Sequence, residues 1–202
     1  MSLKIHLGAF DQGIEGWINT DVTPNMWIAK VPFAPLLLYK LKFIPERSFQ
    51  LHQNKAFHNL HYLDLTKKLP YADHSVDVFF SSHVIEHLSS REVANLVQEL
   101  YRCLVPGGLC RIVVPDLEKI ISLYDRQDPS AFITAIYEAS TRGKEDIRGN
   151  HHTAFTGPSL EKLFRSKGFS QVRTLAYQVG QCPDIDRLDN HPEESLYFEA
   201  IK

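Results

Sequence analysis

Two nearly continuous apolar runs, "SVDVFFSS" (75–82) and "LCRIVVP" (109–115), flank a single amphipathic segment. A strand with one wet face alternates apolar and polar residues, whereas a strand without alternation is covered on both faces. Between the two runs, Ser89 and Glu92 hold the capping-box spacing of a helix start. Val93, Leu96, Val97, Leu100 and Leu104 then recur at helical spacing as one apolar stripe, and "PGG" (106–108) stops it. Buried strand, helix, buried strand is a parallel crossover unit, which demands an α/β sheet with helices packed on it.

The remaining segments extend that sheet. "LKIHLG" (3–8), "WINTDV" (17–22) and "LHYLDL" (60–65) read as short strands. After Pro115, "LEKIISLY" (117–124) and "SAFITAIYEAS" (130–140) read as helices. Pro158 opens another, "SLEKLFRSK", and Gly168 closes it. "VRTLAYQV" (172–179) and "SLYFEAIK" (195–202) read as two strands joined by a polar loop, a pair that finishes a doubly wound sheet with an antiparallel edge. The expectation is one Rossmann-like α/β domain over residues 1–202, doubly wound and mainly parallel, with an antiparallel C-terminal edge strand. At 202 residues the chain is long enough for one sizeable core.

Composition excludes several partners. Net charge is −2, so no basic field is available for nucleic acid. Hydrophobic residues make up 44% and charged residues 23%, as in an ordinary globular protein. Cys103, Cys110 and Cys182 are odd in number and lack CxxC spacing, which argues against a disulfide framework or a zinc site and suits a reducing cytosol. No run reaches the ~18 apolar residues of a membrane span, and "MSLKIHLGAF" has no signal-peptide pattern. The reading is a cytoplasmic protein.

Three stretches carry a family resemblance. Residues 62–118 run from "YLDLTKKLPYADHSVD" through "FFSSHVIEHL" and the capped helix to "LVPGG" and the next strand. "LGAFDQGIEGWINTDV" (7–22) and "HHTAFTGPSLEKLFRSKGF" (151–169) accompany it. Together they resemble class I S-adenosylmethionine-dependent methyltransferases, and within them a subfamily with a very short link between the first two strands. The resemblance implies S-adenosylmethionine as cofactor. Asp21, ending the second strand, then accepts from the ribose hydroxyls; Asp64, after the third, accepts from the adenine amino group, with the Leu65 N–H on a ring nitrogen. Ser81, Ser82 and His83 lie beside the methionyl moiety, and Gly8, Ala9 and Phe10 form the first loop. The implied reaction is methyl transfer to an oxygen, nitrogen or carbon of a small-molecule acceptor, of the glycan or secondary-metabolite kind. His83, Glu86 or His87 takes the acceptor's proton, with His152 a more distant candidate.

Other readings stand beside these. Asp21 and Asp64 also suit turns, His83, Glu86 and His87 a solvated helical turn, and Ser89 a cap. His151 and His152 have no acidic neighbours in sequence, so no metal is expected there. Phe10 stands where the subfamily has glycine, and a bulky residue disfavours positive φ; its ring either blocks the cofactor or walls the pocket. The alternatives are therefore a catalytically inactive binding or scaffolding protein, or an S-adenosylmethionine enzyme of another reaction type. Residues 23–59 form an aromatic-rich insertion, read as a lid over the acceptor pocket or as packing on the sheet edge or a homodimer partner; membrane contact is not expected.

Overall fold

The computed structural model describes residues 2–138 and 151–202. Seven strands make one sheet: β1 (Lys4–Leu7), β2 (Ile18–Asp21), β3 (Leu60–Tyr62), β4 (Val76–Ser82), β5 (Leu104–Pro115), β6 (Gln171–Leu175) and β7 (Ser195–Ile201). Their order is β3-β2-β1-β4-β5-β7-β6. The first five pair in parallel, with Ile5 opposite both Ile18 and Phe79. The antiparallel strand is β7, and it lies inside the sheet rather than at its edge. It pairs with β5 (Arg111 opposite Glu199) and with β6, which forms the border. The strand order reverses between β1 and β4, and a doubly wound sheet opens a crevice at such a switch, at the carboxyl ends of its strands.

Helix α4 (Ser90–Cys103) links β4 to β5 as the sequence pattern requires. The Ser89 N–H donates to Glu92 Oε2 at 2.8 Å, and the Glu92 N–H returns to Ser89 Oγ at 3.4 Å. Val93, Leu96, Val97 and Leu100 are all buried against the sheet, each contributing about 1.5–3 kcal/mol relative to exposure. Helix α7 (Gly157–Ser166) shares this face through Leu160 and Phe164. The expected helix over 117–124 is α5 (Leu117–Ser122). Helix α6 runs Ser130–Glu138, and residues 139–140 of the expected segment lie outside the described residues.

The opposite face has a smaller core of Trp17, Val78, Phe80, Val113, Cys182, Leu188 and Tyr197. The β1–β2 link is too short for a helix, and the chain between β6 and β7, with the single turn α8 (Ile185–Leu188), takes the place of one. Asp184 fastens it by accepting from Lys4 Nζ at 2.7 Å and Trp17 Nε1 at 2.9 Å. Arg111, wholly buried, completes the anchor, with Nε 2.7 Å from Asp189 Oδ1 and one terminal nitrogen 3.0 Å from Glu199 Oε1. All three cysteines are free and buried.

Residues 23–59 form three short helices: α1 (Asn25–Ile28), α2 (Ala34–Lys40) and α3 (Glu46–Gln53). Met26 and Phe57 bury against Ala9 and Leu60. Tyr39 stacks on Phe49, and Trp27 leans on Tyr62. Phe33 and Phe43 do not pack inward; they are 82% and 74% exposed. Among the described residues no helix is long and apolar enough to cross a membrane.

Candidate functional site

The carboxyl ends of β1 to β4 open on a cavity of about 980 Å³, walled by Gly8, Phe10, Asp21, Asp64, His83 and His87 among others. That lies at the upper end of the ~300–1,000 Å³ of small-molecule sites.

Gly8 makes the turn out of β1. Its φ is +67°, and a Cβ there would lie 2.3 Å from Val84 Cγ2, so no side chain fits. Phe10 follows with φ +41°, a left-handed conformation that costs a non-glycine residue about 1–2 kcal/mol. Two contacts offset this. The Phe10 N–H donates to Asp21 Oδ2 at 3.1 Å, and its ring meets Phe57 edge-on with centroids 5.4 Å apart. The ring is thus part of the wall, and the cavity keeps its volume with the ring in place.

The two acids differ in setting. Asp21 also accepts from the Thr23 N–H through Oδ1 at 2.7 Å. Burial pushes its pKa above the usual aspartate value, partly offset by these N–H donors. Each of its oxygens keeps a second lone pair for a ligand. Asp64 closes a turn in which Oδ1 accepts from the Thr66 N–H and hydroxyl at 3.0 and 2.6 Å. The Thr66 hydroxyl holds its carboxyl below the usual range, and Lys67 Nζ lies 3.3 Å from Oδ2.

Past β4 the chain turns sharply. His83 has φ +53°, and its Nε2 is 2.8 Å from Ser195 Oγ. A 3₁₀ turn, Ile85–His87, follows. His87 faces the cavity, whereas Glu86 points inward and is 1% exposed. Among the described residues neither Glu86 oxygen has a hydrogen-bond partner; His83 Nδ1 stands 3.5 Å and His151 Nε2 4.0 Å from Oε1. Burial raises the Glu86 pKa to about 8. Residues 151–153 are tied to this turn by the His152 and Thr153 N–H groups, which donate to the Glu86 carbonyl at 2.7 and 3.0 Å. The His87 and His151 rings meet at 4.9 Å. One ligand atom each from Glu86, His87 and His151 lies within 4.8 Å of the others.

Residues 43–112 match the family described as "Methyltransferase domain". Three solved structures share the architecture. A S-adenosylmethionine-dependent methyltransferase of Archaeoglobus fulgidus aligns with TM-score 0.60 at 15% identity, over 100% of this chain and 86% of that one. One from Thermotoga maritima gives 0.57 at 13%, over 100% and 83%. One from Mesorhizobium loti gives 0.52 at 15%, over 99% and 90%. The chain folds as a class I methyltransferase. No curated protein matches it.

On this methyltransferase fold, Gly8, Phe10, Asp21, Asp64, Leu65, His83 and His87 of the expected residues meet at one cavity, with His152. Four others stand off its wall. Ala9 packs with Met26 and Phe57, and Ser81 is buried in β4. Ser82 donates to Asn190 Oδ1 at 2.8 Å, and Glu86 sits behind His87. Sequence reasoning missed Thr66 and Tyr62 as wall residues, and His151 as a neighbour of Glu86; Trp27 reaches the wall from the segment read as a lid. The Asp-Leu-Thr turn after β3 is a local signal for Thr66. Nothing local signals the pairing of His151 with Glu86, which the fold alone brings together.

Proposed function

We propose that the protein transfers a methyl group from S-adenosylmethionine to a nucleophilic atom of a small-molecule acceptor. One observation carries this reading: Asp21 and Asp64, at the ends of adjacent parallel strands, open on the same cavity as the Gly8 turn. The fit to the cofactor is chemical. The lone pairs left on Asp21 suit paired ribose hydroxyls, and Asp64 with the Leu65 N–H suits the acceptor and donor edge of an adenine. Gly8 leaves the backbone bare where the ligand comes closest.

The sulfonium of the bound cofactor supplies an activated methyl, so the chain's task is alignment and proton handling. His83 and His87 project from the end of β4 at the wall nearest an acceptor, and either takes a proton from a hydroxyl or amine near neutral pH. Residues 23–59 cover the acceptor side through Pro24 and Trp27. The acceptor class, glycan or secondary metabolite, follows from the family resemblance of residues 62–118.

The test is calorimetric titration of folded protein with S-adenosylmethionine and S-adenosylhomocysteine, followed by labelled-methyl transfer to hydroxylated small molecules. Micromolar binding of both ligands is the expected result. No binding of either would leave a methyltransferase scaffold that serves as a binding partner.

A further inference from the structure

We propose that Glu86, His87 and His151 form a binding site for one divalent transition-metal ion at the wall of the cavity. Glu86 is the decisive residue. A carboxyl group 1% exposed, with no hydrogen-bond partner on either oxygen among the described residues, is costly to bury in its charged form, and a cation that meets it takes the place of its proton. Two imidazoles stand against it, with Nε2 of His151 4.0 Å from Oε1 and the His87 ring beside that of His151. Two histidines and one carboxylate are a donor set of catalytic zinc and related ions, and leave a coordination position open. Two imidazole donors disfavour magnesium and calcium, which prefer oxygen. On a tetrahedral ion with bonds of ~2.0–2.1 Å, donors sit about 3.3 Å apart. The present spread of 4.8 Å therefore closes by small side-chain movements.

The backbone supports the site. His151 is 65 positions from Glu86, yet the His152 and Thr153 N–H groups clamp that segment to the Glu86 carbonyl. His83 Nδ1 stands 3.5 Å from the same carboxyl oxygen, Glu86 Oε1. Because His87 also lines the cavity, an acceptor oxygen can fill the open position; with the ion bound His87 is a ligand rather than a base, and the acceptor's proton passes to His83. This last role rests on the methyltransferase reading; the ion site itself does not.

The test uses untagged, chelator-stripped protein titrated with zinc and with cobalt(II), followed by calorimetry and by the visible bands of bound cobalt. One ion per chain at micromolar affinity or tighter is expected, weakened at least about tenfold by Glu86→Gln and by His151→Ala. S-adenosylmethionine affinity, measured on the same samples, stays unchanged. Absent saturable binding, or variants that bind like the parent, would overturn the site. Ion binding without cofactor binding would remove the methyltransferase reading and keep the site. His151 is partly exposed, so its variant reports even if Glu86→Gln disturbs folding.

A separate observation concerns the outer face of residues 27–43. Phe33, Leu37, Leu41 and Phe43 are between 57% and 82% exposed. Lys30, Lys40 and Lys42 lie exposed among them, and no acidic residue occurs between Asp21 and Glu46. We infer that this face docks on an anionic lipid surface, since apolar anchors ringed by unopposed lysines complement that chemistry. Trp27 joins the face to the cavity wall, which sets the cavity's mouth at the lipid surface. Co-sedimentation with phosphatidylglycerol vesicles is expected, with loss of at least about tenfold on phosphatidylcholine alone, or after Phe33→Ser with Phe43→Ser. Vesicle-independent dimerisation through these residues, or no vesicle binding, would overturn it.

Discussion

The Asp21 carboxylate accepts the backbone N–H of Phe10 at 3.1 Å, across the loop that joins β1 to β2. The bond uses main chain, so the side chain at position 10 is free to vary while the loop stays closed on the acid. Asp21→Ala removes this bond, the bond from Thr23 and the proposed ribose contact together. The expected loss in S-adenosylmethionine affinity is about 10- to 100-fold, the range for hydrogen bonds to a charged group. Phe10→Gly changes affinity by no more than about threefold, because its N–H remains. Calorimetry on both variants checks the contrast.

Cofactor binding should depend on pH through Asp21. The ionised carboxylate is the form with free acceptor positions, and burial places its pKa above the ordinary value. Affinity therefore falls as pH drops through that raised pKa, at a higher pH than an ordinary aspartate would titrate, whereas Asp64, held below the usual range, loses its charge only at lower pH. Asp21→Asn should bind more weakly at neutral pH and show a flat profile. A parent profile as flat as the variant's would remove Asp21 from the ligand set.

His87→Ala and His83→Ala should lower turnover by about 100-fold with cofactor affinity nearly unchanged. Single-turnover methyl transfer beside calorimetry separates the two effects. Unchanged turnover in both variants would remove these histidines from the reaction.

Gly8→Ala should destabilise the fold and weaken the cofactor together. The added methyl meets Val84 in a conformation that alanine disfavours. The expected drop is about 1–3 kcal/mol, read from urea unfolding.

Arg111 has no exposed surface and two carboxylate partners. Asp189→Ala leaves a buried guanidinium with one carboxylate, Glu199, and the Val179 carbonyl, and should cost about 3–5 kcal/mol in urea unfolding. The loop that carries Asn190 and leads to Ser195 is held by this ion pair, so the contacts of Ser82 and His83 should loosen with it.

The sheet was legible because its signals are local. The β4 and β5 runs lack alternation, the α4 stripe repeats at helical spacing, and the Ser89–Glu92 cap sits where the spacing puts it. Asp21 and Asp64 were legible as cavity residues because a strand end fixes where they stand. Less legible was anything decided by distant partners. Ser81 and Ala9 follow the expected strand ends but alternate away from the cavity. A bulky Phe10 reads as unsuited to positive φ, yet Asp21 and Phe57 hold it there. His151 has no acid nearby in sequence, and its carboxylate neighbour arrives from 65 positions earlier through β4.

The bonds from Asp184 to Lys4 and Trp17 join positions 180 and 167 residues apart. During synthesis, β1 and β2 emerge early, with the apolar face of Trp17 and Phe80 bare until residues 180–190 arrive to roof it. The half of the sheet that carries the cavity is therefore the first part made and among the last to be sheltered. A ribosome that stalls before residue 180 would release a chain with that face exposed to aggregation, and such long-range closure makes folding slow.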